Sequence, residues 1–325
     1  MPGFTTHYIM GMKAYNDLPA NQLKHIIAKY RWLYQLGLQG PDMFFYYIPI
    51  LRHRDHRNVG SYMHEHHVQD FFVNYLKAAV QIRSRQQREQ ALAYFCGYLC
   101  HYVGDSICHP YVYGRINYDI NNPSMQHHGL HAELENDIDA LLLHRYKKKK
   151  PSEFNQAATI CLNSLEAQFI SRMLANCINE TYYPITYKNN FQVSWRLVYQ
   201  AIFSLRFGCR TLADPSGHKH NSIRFVENIF LKNPIASRKL VTDKVHNPRQ
   251  SLNLAHEVWC NPWKKQLASN MSFPELFHQC LHKCHTVYSL INQVITSGVP
   301  VEEMDFSQVI TELGNYSYHS GLPVS

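Results

Sequence analysis

Residues 88–113 read REQALAYFCGYLCHYVGDSICHPYVY, and the reading of this stretch decides the fold. Its apolar residues recur without the period-two alternation of a strand, so it reads as a long buried helix that ends at Pro110. The apolar run around 91–100 is too short to span a bilayer. Cys96, Cys100 and Cys108 sit in it as small buried hydrophobes. His101, Asp105 and His109 are spaced i, i+4 and i+8, which places them in a stripe that drifts slowly around one helix face. A carboxylate buried in such surroundings is costly without a cation or a hydrogen-bond partner. Spacing alone leaves two readings open, a metal site and a hydrogen-bonded carboxylate–histidine stripe.

Outward from this helix the chain continues to read as helical. Helices are expected over 5–17 and 20–36, after which Gly37, Gly40 and Pro41 break the pattern and deliver Asp42 into a turn. A basic loop leads to MHEHHVQDFFVNYLKAAVQIRSR, the start of a third helix. Beyond Pro110 a polar loop with Asn121, Asn122 and Pro123 precedes a helix over 127–146, closed by Lys147–Lys150 and Pro151. Further helices are expected over 153–176, 193–210, 251–259 and 273–297, with Pro- and Lys-rich connectors around 214–250. The fold class is therefore all-α, a multi-helix bundle. Residues 1–325 are expected to form a single domain, with the chemistry in 1–145 and the helices of 146–325 packed on the same core.

Composition sets bounds. With 45% hydrophobic residues in 325, the chain can bury a large core without disulfides. A formal net charge of +8 mildly favours anionic partners without choosing among them. The 21 histidines raise the prior for metal chemistry, although His25, His53, His56, His144, His218 and His220 lie in polar stretches and read as solvated. The nine cysteines form no CxxC pair, which suits a reducing compartment with free thiols. Cys280 and Cys284, beside His278, His282 and His285, have helical spacing and read as packing. The segment MPGFTTHYIMGMK has neither a basic n-region nor an apolar h-region, so a cytoplasmic protein without signal peptide or transmembrane segment is expected.

Several further residues have metal-ligand chemistry. His131 and Glu135 in HHGLHAELENDID are again i, i+4 and can chelate from adjacent turns; His127 and His128 read as neutral loop residues. His7 lies on the inner face of the first helix, Asp42 in a Gly-Pro turn beside Phe44, Phe45, Tyr46 and Tyr47, and His64, His66 and His67 are alternatives for one more imidazole. Together they provide for two or three divalent ions. Mixed N/O ligation without thiolate points to Zn2+ in a catalytic rather than a structural mode.

The order of TH at 6–7, GPD at 40–42, a histidine in MHEHH, HYxGDxxxHP at 101–110 and HxxxE at 131–135 resembles the bacterial zinc-dependent phospholipase C family of alpha-toxin-type enzymes, particularly its leaderless members. The resemblance implies an all-helical bundle around a trinuclear zinc site. It implies His7, His101, Asp105, His109, His131 and Glu135 as ligands, Asp105 as a bridge, and Asp42 as a metal-site residue and general base. His64, after GSYM, takes the remaining histidine. There are departures. The secreted enzymes bind zinc through a mature N-terminal tryptophan; here a prolyl amine at Pro2 would take that place. The Asp105–His109 spacing is two residues shorter than theirs, and Met43 stands where choline-specific members carry tyrosine.

These features lead to a zinc-dependent phosphodiester hydrolase acting on phospholipids, with peripheral membrane contact. A single-strand nuclease shares the fold, but such nucleases close the cluster with HxxxD, and here it is HxxxE. A non-catalytic zinc-binding helical protein is the third reading, against which the complete ligand set argues.

Overall fold

The computed structural model describes residues 3–47, 59–186, 192–230 and 236–324. In chain order come α1 (Phe4–Asp17), α2 (Gln22–Lys29), α3 (Arg31–Gly37), a 3-10 turn at Gly40–Tyr46, α4 (Val59–Glu65) and α5 (Val68–Val80). The central helix α6 (Arg85–Arg115) follows, then α7 (Met125–Lys147), α8 (Ser164–Thr186), α9 (Trp195–Leu212) and α10 (His218–Phe230). The chain ends with α11 (Pro248–Ser251), strands β1 (Trp259–Asn261) and β2 (Lys264–Ser269), α12 (Phe273–Ile295) and α13 (Ser307–Leu313). Among the described residues the fold is all-α apart from the small antiparallel β1–β2 pair.

α6 organises the rest. Ser84 caps it by accepting from Gln87 N–H, and from Tyr94 to Asp105 its side chains are all buried. A helix apolar on every side must be covered on every side, and α1, α2, α3 and α12 all pack against it. The apolar core runs continuously from Ile9 through Tyr94 and Tyr98 to Phe277 and Tyr288, so helices from both halves of the chain share it. α3 approaches closely because Gly37 and Gly97 face each other: a Cβ on Gly97 would lie 2.1 Å from the Tyr34 carbonyl.

Several expectations need correction. Pro110 does not end α6, which continues to Arg115; the helix is buried there and its packing outweighs the one lost hydrogen bond. The helix expected over 20–36 is two, broken at Tyr30, whose ψ of 41° leaves the helical region. In place of a helix at 251–259 the chain forms α11, a turn and β1. Asn253 and His256 take φ of 50° and 54°, and the Asn253 side chain binds the backbone of Glu257 and Met271. Such local side-chain bonds compete with helix formation. The expected connector at 214–250 contains α10. Cys280 and Cys284 are buried between α12 and α6, with Cys280 Sγ 3.6 Å from Cys108 Sγ, while His278 and His282 are exposed.

Candidate metal centre

The stripe on α6 is where the elements converge. His101, Asp105 and His109 are fully buried. Asp105 stands between imidazoles on both sides. Its Oδ1 lies 3.0 Å from His7 Nε2, on α1. Its Oδ2 lies 3.1 Å from His101 Nε2 and 3.6 Å from His64 Nε2, the latter on α4. Asp42 Oδ1, in the 3-10 turn, completes this side at 3.2 Å from His64 Nε2 and 3.7 Å from His101 Nε2. Gly40 makes that turn fit: its φ is 47°, and a Cβ there would lie 2.3 Å from the His101 ring.

Asp42, His64, His101 and Asp105 thus present four donor atoms to one point. Four donors at zinc–ligand distances of about 2.0–2.1 Å in tetrahedral array are roughly 3.3 Å apart; the four His–Asp separations here run from 3.1 to 3.7 Å, and all six lie within 4.8 Å. A second group, His109, His131 and Glu135, lies beyond the other oxygen of Asp105. Here His131 Nε2 is 2.6 Å and His109 Nε2 3.8 Å from Glu135 Oε1, and His109 Nδ1 is 3.8 Å from Asp105 Oδ1.

The tautomers are set for coordination. His64, His101 and His109 each direct Nδ1 at a backbone carbonyl, of Gly60 at 2.6 Å, Leu38 at 3.1 Å and Tyr318 at 2.5 Å. With Nδ1–H donating there, each Nε2 turns a lone pair inward. Those three Nε2 atoms, both nitrogens of His7, both oxygens of Asp105 and Asp42 Oδ1 are buried without a hydrogen bond among the described residues. Buried donor atoms gathered in two adjoining groups, with only one another for neighbours, are explained by bound cations, because polar groups without hydrogen-bond partners in a protein interior are costly.

Electrostatics follows from the same arrangement. Burial opposes charge on Asp105, yet the imidazoles of His101 and His7 hold its carboxyl well below the usual range. Burial also opposes charge on His64, but the carboxylates of Asp105 and Asp42 outweigh it and push His64 up to about 9. Burial raises Glu135 to about 7 and lowers His131 well below its ordinary value.

Of the residues named from the sequence, His7, Asp42, His64, His101, Asp105, His109, His131 and Glu135 all fall in these two groups or against Asp105. His66 instead packs on the Tyr62 ring, and His67 pairs with Asp70 at 2.9 Å. His127 caps α7 with Ser124. The expected amine of Pro2, and His53 and His56, lie outside the described residues.

Two contributors were missed. Asp139 accepts from Thr5 and Thr6 N–H at 2.9 and 2.8 Å and so anchors the first turn of α1, which carries His7. It was legible in principle, because His131, Glu135 and Asp139 repeat the i, i+4, i+8 spacing seen on α6. His319, stacked on His64 with centroids 5.1 Å apart, carries no such signal.

No curated protein and no solved structure matches the chain. The family described as zinc dependent phospholipase C matches residues 6–189, which include every residue of both donor groups. No helix among the described residues is long and apolar enough to cross a membrane. With its fold, its buried His/Asp cluster and more than half of its length in agreement, the chain belongs to the zinc-dependent phospholipase C family.

Proposed function

We propose that the protein hydrolyses phosphodiesters, with a phospholipid as substrate and a phosphorylated headgroup as product. The observation that carries this reading is Asp105 set between two donor groups, beside an apolar groove that begins at the Asp42 turn. Zinc held by these residues supplies Lewis-acid charge that acidifies water and neutralises phosphate oxygens. Asp42, 4% exposed, would orient the attacking water and accept its proton; its Oδ1 faces the site 3.2 Å from His64 Nε2 and 3.7 Å from His101 Nε2. Asp105 faces His7 with one oxygen and His101 with the other, so it would share its charge between the two sides of the site.

The groove supports a lipid substrate. Phe45 and Tyr46 of the turn and Phe203, Phe207 and Leu212 of α9 line about 400 Å³, and the Phe45 ring is 5.4 Å from that of His64. Such walls suit the acylglycerol part of a phospholipid leaving its phosphate at the metals. Met43 is buried in the core and adds no aromatic face for a choline headgroup.

α10 supports a lipid surface as partner. Ile223, Phe225, Val226 and Ile229 are all exposed, at 37–69%. Among the described side chains of this helix the buried one is instead Glu227, which accepts from Ala236 and Ser237 N–H. Residues 218–250 carry seven lysines and arginines against two acidic residues. An outward apolar face in a basic setting suits an anionic membrane interface.

The test assays phosphatidylcholine, phosphatidylethanolamine and single-stranded DNA side by side, with and without a chelator. Diglyceride release from both lipids, lost on chelation, is expected. Asp42→Asn should lower turnover by about 10²–10⁴-fold. DNA cleavage outpacing lipid hydrolysis would transfer the protein to the nuclease reading.

A further inference from the structure

Residues 315–324 fold back over α6 at the metal centre. Ser317 N–H donates to the Leu322 carbonyl at 2.9 Å and Val324 N–H to that of Asn315 at 3.0 Å, which closes the segment into a strap. It is fastened at its start by Gln69 N–H to Asn315 Oδ1 at 3.1 Å and Tyr316 N–H to Tyr102 Oη at 3.0 Å, and at its bend by Asn261 Nδ2 to the Ser320 carbonyl at 2.8 Å. Gly321, with φ of 62°, lies against the Ser106 carbonyl, where a Cβ would come within 2.4 Å. Ser106 is four residues before Pro110, so its carbonyl is the one the proline deprives of a helical N–H. The strap docks at that break.

Three of its contacts fall on residues of the donor groups. The Tyr318 carbonyl accepts from His109 Nδ1 at 2.5 Å. Tyr318 N–H donates to the His64 carbonyl at 3.0 Å. The His319 ring stacks on the His64 ring, centroids 5.1 Å apart and planes within 15°. His64 belongs to one donor group and His109 to the other. One short segment, outside the 6–189 that the family matches, therefore touches both.

We propose that Tyr318 and His319 position His109 and His64 for coordination, so that docking of this C-terminal strap and loading of the metal centre are linked. The inference rests on the metal centre and not on the identity of the substrate. A carbonyl on Nδ1 sets the tautomer and plane of a ligating imidazole, and loss of such a partner typically costs about 10–100-fold in metal affinity. Linkage is reciprocal: if an undocked strap weakens zinc by a factor, zinc disfavours undocking by the same factor.

Hydrogen–deuterium exchange on the full-length protein, zinc-loaded and chelated, measures the second half of that statement. Amides of residues 316–324 should exchange about 10–100-fold more slowly with zinc, while those in the last turn of α12 change little. Zinc affinity, measured by competition with a chromophoric chelator, measures the first half. Gly321→Val, which pushes the strap off Ser106, should weaken zinc by a similar factor. His319→Ala should weaken it less, and His319→Phe, which keeps the stacked ring, should recover the loss. Equal exchange of the strap with and without zinc would overturn the proposal, and that measurement needs no variant to fold. A folded Gly321→Val protein that binds zinc like the parent would overturn it too.

Discussion

Asp105 is the side chain on which both halves of the centre depend, because its two oxygens face different imidazoles. Asp105→Asn keeps the volume and removes the charge. It is expected to lose more than one equivalent of bound zinc, counted by elemental analysis after gel filtration; a loss of one equivalent or none would remove its bridging role. The pKa shifts set a pH dependence. In the metal-free chain His64 is raised from 6.5 to about 9 and Glu135 from 4.5 to about 7. Folding thus favours the protonated form of each, so their contribution to stability is complete below the unfolded values and is lost as pH rises through about 7 and then about 9. Zinc must displace both protons. Its affinity should therefore climb from pH 6 to about pH 9, and metal-free stability from these two groups should fall over the same interval. Zinc titrations and urea denaturation of the chelated protein across this range check the pair of trends. A flat zinc affinity would mean that neither residue gives up a proton to zinc.

At the scale of elements, the centre depends on how α1, α3, α4 and α7 are held against α6. Asp139 on α7 holds α1 through the Thr5 and Thr6 amides, and burial raises its carboxyl to about 6. Removing a buried acceptor at a helix start costs about 1–3 kcal/mol. Asp139→Ala should show that loss in denaturant unfolding and should also bind less zinc, since α1 carries His7. Unaltered zinc content would show that the position of His7 does not depend on this anchor. Asp137, two residues earlier, does a similar task elsewhere by accepting from His246 N–H, Asn247 N–H and Ser251 Oγ–H. α7 therefore presents ligands on one face and structural carboxylates on others. Residue type alone does not tell these apart; the faces of the helix do, once its neighbours are placed.

At the scale of the whole molecule, the chain divides its apolar surface between a shared core around α6 and the outward face of α10. The basic residues of 218–250 supply much of the formal charge of +8. If that face meets lipid, Phe225→Glu with Ile229→Glu should reduce sedimentation with vesicles of phosphatidylcholine and phosphatidylserine on the order of 10-fold. Cleavage of a soluble chromogenic phosphodiester should be unchanged, because neither residue belongs to the donor groups. Undiminished vesicle binding would assign α10 to another partner.

The helical class and most of the donor set were legible in the sequence, because a helix repeats itself locally. The i, i+4, i+8 spacing of His101, Asp105 and His109 and the i, i+4 spacing of His131 and Glu135 specify shared faces before any packing is known. Family resemblance then ordered the isolated residues, His7 and Asp42, that spacing could not. The resemblance also picked out His64 by its place after GSYM, and the tertiary structure supplies the reason: its ring is drawn inward beneath Tyr318 while His66 and His67 find partners outside. Only tertiary structure carried α6 through Pro110, where burial outweighs a lost hydrogen bond. Most of all, it brought Tyr318 209 residues along the chain to His109. A carbonyl accepting from an imidazole across that separation leaves no periodicity to read, since every residue type offers the same carbonyl and only the folded path decides which one arrives.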